Sequence, residues 1–274
     1  MKISVIIPTY KPGAYIWECL DSLGKQDFPK DDFELIIVLN GCKEPYYSQI
    51  LRYKNEYMTG CQVNFLQTDM PGVSNARNMA LDVAKGEYVT FVDDDDYVSP
   101  SFLSGLYNAV APDVVSLCRP LAFIDGEEGF VPYRITKAFD ALSTKGITGV
   151  SKARKFFSGP CMKLIPMSFI QNRRFDVRFQ NSEDTIFMFL ISDKIHKVSF
   201  ASADAVYYRR IRNDSAMTRR RKLSAVIVND IRVLKEIIKI YCKSPRSFSF
   251  AFFMTRLLGR IKGTIVLGRG GADG

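Results

Sequence analysis

Residues 93–96 are four consecutive aspartates, the densest group of potential catalytic or metal-binding side chains in the sequence. They directly follow the apolar segment 88–92, which has the composition of a buried strand. A solvated acidic turn is one interpretation, but a strand in front would place the carboxylates at a sheet edge. Alternation would point Asp93 and Asp95 the same way and turn Asp94 aside. Such oxygens suit Mg²⁺ or Mn²⁺, as in several classes of phosphate-handling enzyme.

Segment 71–78 could bind an anion. Gly72 permits a tight turn, and the helix predicted behind it presents its N-terminus, which favours negative charge. Arg77 lies near that N-terminus and could reach a phosphate or a base. An ordinary helix start with Arg77 in solvent explains the same residues, so this segment alone does not decide the function.

A second carboxylate pair, Glu183 and Asp184, follows Ser182. Ser182 can cap a helix, and acidic residues favour a first helical turn, so a purely structural interpretation is available. The functional interpretation makes one carboxylate a general base. The basic stretch 207–215 is likewise either a basic strand and turn or a clamp on a diphosphate. Its candidate cations are Arg209, Arg210 and Arg212.

Histidine and cysteine chemistry are poorly represented. His196 is the only histidine, so a multi-histidine metal site is excluded and no catalytic triad is evident. The six cysteines are widely and irregularly spaced without a Cys-x-x-Cys pair, which indicates neither a zinc site nor a disulfide framework. Acid–base chemistry therefore falls to the carboxylates.

The first 120 residues alternate short apolar strands with amphipathic helices. Strands are predicted at 4–7, 33–39, 63–66, 88–92 and 114–117, and helices at 14–25, 46–58 and 73–85. This alternation predicts a mostly parallel sheet with helices on both faces, in which ligands bind beyond the carboxyl ends of the strands. Those ends carry residues 8–10, 40–41 and 93–96, so we expect these polar groups to meet in one crevice.

The second half of the sequence is less regular. Residues 120–160 lack clear periodicity and are rich in glycine and proline, which predicts a long excursion over the site. Beyond it, a helix is predicted at 182–192 and a strand at 204–211. Two further helices are predicted at 216–242 and 247–267.

The positive charge is concentrated at the C-terminal end. Residues 1–204 contain 22 Lys and Arg against 25 Asp and Glu, whereas 205–274 contain 16 against 4. The basic cluster 219–222 and the Phe-rich helix at 248–265 have two interpretations: packing on the rest of the chain, or attachment to an anionic membrane surface. No apolar run of about 18 residues occurs, and the first apolar segment is too short for a signal peptide. We therefore expect a cytoplasmic location, with peripheral membrane contact as an option.

Taken together, the order and spacing of the motifs resemble the family-2 glycosyltransferases with the GT-A fold, over roughly residues 3–215. The matching segments are 4–10, 72–78, 86–96 and Glu183-Asp184. The resemblance implies an α/β, Rossmann-like three-layer sandwich with a mostly parallel central sheet. It places a catalytic domain at 1–215, with the nucleotide-sugar side in 1–120 and the acceptor side in 120–215. A basic, amphipathic helical extension follows at 216–274.

The resemblance also implies the roles of individual residues. Asp184 would be the catalytic base with Glu183 beside it, and Asp95, with Asp93, would ligate a divalent metal, Mn²⁺ or Mg²⁺. The implied donor-binding residues are Pro8, Thr9, Tyr10, Asn40, Arg77, Asp93, Asp94 and Arg210.

Two departures from the family pattern bear on the substrate. Where the family usually has an aspartate that reads uracil, this sequence has Asn40, which still offers a donor and an acceptor to a base. The Gln-x-x-Arg-Trp motif of processive synthases is missing, and the only tryptophan, Trp17, is far from that position. Transfer of a single sugar is therefore the favoured interpretation.

The resemblance implies a metal-dependent, inverting transferase. It would move a sugar from a nucleoside diphosphate sugar, usually a uridine one, to a glycan or polyprenyl-diphosphate-linked acceptor in bacterial surface-polysaccharide synthesis. One alternative is a sugar-phosphate nucleotidyltransferase, which would not need Glu183 and Asp184. The other is a non-catalytic protein that binds nucleic acid or membrane through its basic end. Residues 1–204 are acidic and no nucleic-acid motif occurs, so no nucleic acid is expected.

Overall fold

The computed structural model of this 274-residue chain describes residues 1–212 and 223–268, the last five of these by backbone alone. The strands are β1 (Ile3–Thr9), β2 (Phe33–Asn40), β3 (Gln62–Thr68), β4 (Tyr88–Phe91), β5 (Tyr97–Val98), β6 (Val114–Leu117), β7 (Arg119–Ile124), β8 (Thr148–Gly149), β9 (Lys163–Pro166), β10 (Lys197–Phe200) and β11 (Val206–Ile211). The α-helices are α1 (Tyr15–Gly24), α2 (Tyr46–Tyr57), α3 (Val73–Val83), α4 (Phe102–Asn108), α5 (Arg134–Ser143), α6 (Met167–Ile170), α7 (Glu183–Leu190), α8 (Leu223–Lys243) and α9 (Phe250–Gly268).

A large central sheet has the strand order β3-β2-β1-β4-β9-β6-β10-β8. Strands β3, β2, β1 and β4 run parallel, and every residue of β1 and β2 is buried, as expected for strands covered on both faces. Their carboxyl ends therefore lie at the same edge of the sheet, where the site is built. The predicted α/β class with a mostly parallel sheet is confirmed.

The second half of the chain completes the sheet and adds a smaller one. Strand β9 runs antiparallel between β4 and β6, and a separate sheet has the order β5-β11-β7. The prediction of an unpatterned excursion over 120–160 is wrong, because β7, α5 and β8 lie there. Helix α5 buries only Ile135 and Phe139, which is too short an apolar repeat to stand out in a sequence.

Helices α8 and α9 pack on the α/β part of the chain. The Phe189 ring of α7 stacks on Phe248 and Phe252 at 5.2 and 6.2 Å between centroids, and Tyr241 stacks on Phe253 at 4.0 Å. These phenylalanines thus pack on the rest of the chain, which was one of the two interpretations of the Phe-rich helix; the other was attachment to a membrane surface. The basic cluster 219–222 and the predicted boundary at 215/216 lie outside the described residues, as does the start of the helix predicted at 216–242. Among the described helices, none is both long and apolar enough to cross a membrane.

Candidate active site

A cavity of about 400 Å³ opens at the carboxyl ends of β1, β2 and β4. Its lining comprises Pro8, Thr9, Tyr10, Tyr15, Asn40, Pro71, Gly72, Val73, Asp93, Asp94, Asp95 and Arg212. The structure therefore brings together the polar residues at the three strand ends, as the sequence predicted. Parallel strands explain this convergence, since each delivers its C-terminal polar residues to the same edge.

The aspartates after β4 lie on a turn. The amide of Asp96 donates to the carbonyl of Asp93 at 3.1 Å, so strand alternation no longer applies. The prediction that Asp94 is turned aside is wrong, because it lines the cavity beside Asp93 and Asp95. Thr9 Oγ1 donates to Asp94 Oδ2 at 2.5 Å. Burial, reinforced by the charges of its two neighbours, raises the pKa of Asp94 to about 7.

Asp96 differs from the other three aspartates because it anchors the turn. It is 5% exposed, and its carboxylate accepts hydrogen bonds from the Tyr207 hydroxyl at 2.7 Å and the Arg210 amide at 2.8 Å. The same Tyr207 oxygen accepts a bond from the amide of Asp93 at 3.2 Å. Strand β11 thus holds the turn in place. Sequence reasoning named Tyr207 only as part of the basic stretch 207–215 and missed this role, which no local signal marks because Asp96 is 111 residues away.

Arg77 joins the two groups of carboxylates. Its side chain is 4% exposed, and it donates from Nη1 to Asp184 Oδ1 at 2.6 Å and from Nη2 to Asp93 Oδ1 at 3.0 Å. The guanidinium also lies 5.3 Å from the centre of the Phe175 ring. Burial opposes its charge, but Asp184 and Asp93 together raise the pKa of Arg77 above its usual value. Arg77 does not line the cavity, so its predicted contact with the nucleotide stays a prediction.

Glu183 and Asp184 begin helix α7, as predicted, but Ser182 does not cap it. Ser182 has a left-handed backbone (φ +68°) and makes no side-chain capping bond. Burial and the nearby Asp93 raise the pKa of Asp184, while Arg77 and Lys163 act in the opposite direction. The pair therefore lies in one highly charged environment at the start of α7, in which Glu183 is buried and the Asp184 side chain is 26% exposed.

Glu183→Gln tests that environment through stability. Glu183 is 8% exposed, and burial followed by the charge of Asp184 raises its pKa from 4.5 to about 7. The folded state binds the proton of the Glu183 carboxyl more tightly than the unfolded state does. Wild-type stability therefore falls as the pH rises from about 4.5 to about 7. We expect the variant to be about 2 kcal/mol more stable at pH ~8 and no more stable at pH ~4. Urea titrations at both pH values measure the free energy of unfolding of the wild type and the variant. An equal difference between the two proteins at both pH values would contradict a raised pKa of Glu183.

Arg210, in β11, and Arg212, just after it, differ in whether they line the cavity. Arg212 lines the cavity, pairs with Asp95 Oδ2 at 2.6 Å and lies 4.4 Å from the centre of the Tyr15 ring. Arg210 lies outside the cavity lining and pairs with Glu18 and with Asp125, the latter at 2.5 Å. The predicted donor contact of Arg210 thus stays a prediction, whereas Arg212 already lies at the cavity wall.

Asn40 ties three elements together. Its side-chain amide donates to the Thr9 carbonyl at 2.7 Å and accepts from the Gly72 amide at 2.9 Å, and the residue is 2% exposed. Beside it, Tyr10 is 51% exposed over Gly41. Gly41 has φ +81°, and a Cβ there would lie 2.7 Å from the Tyr10 ring, so glycine is required for this packing. The cavity mouth therefore presents the exposed Tyr10 ring above backbone segments that the Asn40 side chain links by hydrogen bonds.

The donor set fits a divalent metal held by few protein ligands. Within residues 1–212 and 223–268, no three His, Cys, Asp or Glu side chains form a metal cluster. Mg²⁺ and similar ions, however, commonly use one or two carboxylates and complete their shell with water and substrate phosphate. Burial and the charge of Asp93 raise the pKa of Asp95, a sign of crowded negative charge that a cation would relieve. Asp95 and Asp93 are thus suitable ligands.

Comparison with known proteins identifies the family. Residues 4–176 match the profile of Glycosyl transferase family 2. The poly(ribitol-phosphate) beta-glucosyltransferase of Bacillus spizizenii is 31% identical over 216 residues, or 78% of this chain and 33% of that protein. The poly(ribitol-phosphate) beta-N-acetylglucosaminyltransferase TarS of Staphylococcus aureus is 45% identical over 104 residues, or 38% of this chain and 18% of TarS. The chain thus spans between about a fifth and a third of these relatives.

Solved structures of other proteins have the same fold. The structure of S. aureus TarS 1–349 in complex with UDP-GlcNAc superposes with a TM-score of 0.76 and 25% identity, covering 95% of this chain and 72% of that one. The mannosyltransferase PcManGT of Pyrobaculum calidifontis, in complex with GDP-Man and Mn²⁺, has a TM-score of 0.62 at 16% identity, covers 99% of this chain and 76% of that one, and shows the fold alone. The GT-A fold is confirmed. With the cavity, the carboxylates and the profile match in agreement, this chain belongs to glycosyl transferase family 2.

Proposed function

We propose that the chain transfers one sugar, with inversion, from a uridine diphosphate sugar to a hydroxyl of a glycan or lipid-linked acceptor in bacterial surface-polysaccharide synthesis. The observation that carries this proposal is the Arg77 bridge, which places the Asp184 carboxylate next to the aspartates of the donor cavity. The UDP-GlcNAc complex of TarS supports the donor class. A Campylobacter jejuni relative, 26% identical over 90% of this chain and 80% of its own length, is named as a GalNAc(5)-diNAcBac-PP-undecaprenol beta-1,3-glucosyltransferase, which supports the acceptor class.

In the proposed reaction Asp184 is the general base. Oδ1 is held by Arg77, which leaves Oδ2 to accept the proton of the acceptor hydroxyl. As that proton leaves, the acceptor oxygen forms a bond to the anomeric carbon, and the bond from that carbon to the diphosphate breaks with its electron pair on the diphosphate. Arg212 at the cavity wall supplies positive charge for the departing diphosphate. A divalent ion on Asp95 and Asp93 would act there as a Lewis acid.

Nucleotide binding tests the donor site. We expect calorimetry with UDP, GDP, CDP and dTDP to show binding of UDP that Mn²⁺ strengthens, and Asp95→Ala to remove the effect of Mn²⁺. Because Asp95 pairs with Arg212, the variant removes a negative charge beside this cation, so UDP binding without metal should be as strong as in the wild type or stronger. Asp31→Ala, on an exposed aspartate, is the control. Failure of all four nucleotides to bind under either condition would refute the proposal.

We also propose peripheral membrane contact through α8. Leu223, Ile227 and Ile231 are spaced four residues apart and are 43%, 38% and 46% exposed, which forms an apolar ridge on a strongly basic part of the chain. Flotation with anionic and neutral vesicles tests this contact. Replacing the three residues by Ser should abolish flotation with anionic vesicles, and unchanged flotation would contradict the assignment.

A further inference from the structure

Three arginines form a cationic cluster between the helical turn Arg154–Ser158 and helix α9. Arg256 Nη2 donates to the Arg154 carbonyl at 3.1 Å, and its Nη1 lies 3.5 Å from Ser158 Oγ. Arg154 lies over Gly259, where a Cβ would be 4.0 Å from its Nη1. Arg260, one turn along α9, pairs with Asp230 at 2.7 Å. We refer to Arg154, Arg256 and Arg260 as the arginine cluster.

The cluster carries more positive charge than the surrounding protein neutralises. Among the residues described, no carboxylate pairs with Arg154 or Arg256, and the buried Nε of Arg256 lacks a hydrogen-bond partner. Burial and the charges of the other two arginines lower the pKa of Arg256 to about 9. Arg77 shows the opposite behaviour because its two carboxylates surround it. A buried donor without an acceptor next to like charges is costly, unless an anion completes it.

The cluster lies beside the proposed base and apart from the donor cavity. Ser158 and Gly159 form the wall between them: Arg256 contacts Ser158, while a Cβ on Gly159 would lie 3.6 Å from Asp184 Oδ2. Thr185 Oγ1 donates to the Ser158 carbonyl at 3.3 Å, and Lys163 Nζ donates to the Gly159 carbonyl at 2.6 Å. None of the three arginines lines the donor cavity.

We propose that Arg154 and Arg256 bind a phosphate group carried by the acceptor. The proposal rests on the glycosyltransferase function and on Asp184 as the base. Guanidinium groups bind phosphate through paired, charge-assisted hydrogen bonds. A phosphate held here would place the acceptor chain along the wall formed by Ser158 and Gly159 and present its hydroxyl to Asp184 Oδ2. The donor diphosphate cannot be this ligand, because its cavity is lined by other residues.

Calorimetry on the full chain, with UDP saturating the donor cavity, tests the proposal with two probes. Glycerol 3-phosphate stands for a soluble phosphate-bearing acceptor, and farnesyl diphosphate in detergent micelles stands for a lipid-linked one. We expect the wild type to bind at least one probe and both Arg154→Gln and Arg256→Gln to weaken it by about tenfold or more. Arg52→Gln, an 81% exposed arginine paired with Glu56 on α2, should bind as the wild type does.

The outcomes separate this inference from the proposed function. Binding of glycerol 3-phosphate, or of farnesyl diphosphate alone, supports the site and identifies the source of the phosphate. If neither probe binds, or if both variants bind the probes as the wild type does, the phosphate site is refuted. Normal UDP binding in the same experiment would still support the donor site. Thermal melting distinguishes a structural role. Arg256→Gln loses the hydrogen bond to the Arg154 carbonyl and the contact with the Phe252 ring at 4.7 Å, but it also relieves like-charge repulsion, so we expect a melting temperature close to that of the wild type. Arg154 is exposed, so its variant reports binding without an effect on folding.

Discussion

Asp184→Asn is expected to lower the turnover number by ~10²–10⁴-fold while the Kd for UDP stays unchanged. The substitution keeps an oxygen that can accept the hydrogen bond from Arg77 Nη1, now 2.6 Å from Asp184 Oδ1, so the site should keep its shape. What it removes is the ability to take a proton from the acceptor hydroxyl. Steady-state kinetics with a radiolabelled UDP-sugar, together with calorimetry of UDP binding, separates the two effects.

Glu183→Gln is the matched control for that measurement, since it neutralises the neighbouring carboxylate on the same helical turn. If Asp184 is the base, the control should retain most of the turnover. If the control loses activity and Asp184→Asn retains it, Glu183 is the base and the roles of the two carboxylates are exchanged. Loss of UDP binding in Asp184→Asn would instead indicate that Asp184 acts mainly through Arg77 on the donor site.

Arg77→Met is expected to cause the largest loss of stability, about 1–3 kcal/mol. The side chain is 4% exposed and neutralises Asp93 and Asp184 at 3.0 and 2.6 Å. Without it, Asp93 and Asp184, whose side chains are 42% and 26% exposed, lose the cation that they share. Methionine replaces the volume of the buried arginine side chain but not its charge. Urea unfolding followed by circular dichroism measures the difference in free energy.

Arg174→Met provides a comparison of the same substitution in an exposed pair. Arg174 is 30% exposed and bonds to Asp82, itself 61% exposed, at 2.7 Å, so its loss should cost less than about 1 kcal/mol. Similar losses in the two variants would contradict the buried bridge at Arg77. Arg77→Lys keeps the positive charge, but its single ammonium group cannot bond to both carboxylates as the two guanidinium nitrogens do. We therefore expect a loss of stability between those of the two Met variants.

Much of the α/β fold was predictable because its signals are local. The buried strands β1 and β2 are continuous apolar runs, and the helices between them repeat apolar residues at helical spacing. Parallel strand direction then placed Thr9, Asn40 and the aspartates after β4 at one edge, as expected from the sequence. Segment 120–160 escaped prediction because α5 buries only two residues and the short β8 carries too few residues for a period.

Local sequence patterns were enough to predict the class of the fold, the edge of the sheet that carries the site and the carboxylates available there. Tertiary structure alone decided how they are used: Asp96 became an anchor through Tyr207, 111 residues away, and Arg77 joined Asp184 across 107 residues. The reason is physical. Backbone periodicity depends on near neighbours in the chain, whereas the partner, burial and pKa of a charged side chain depend on which distant elements pack against it.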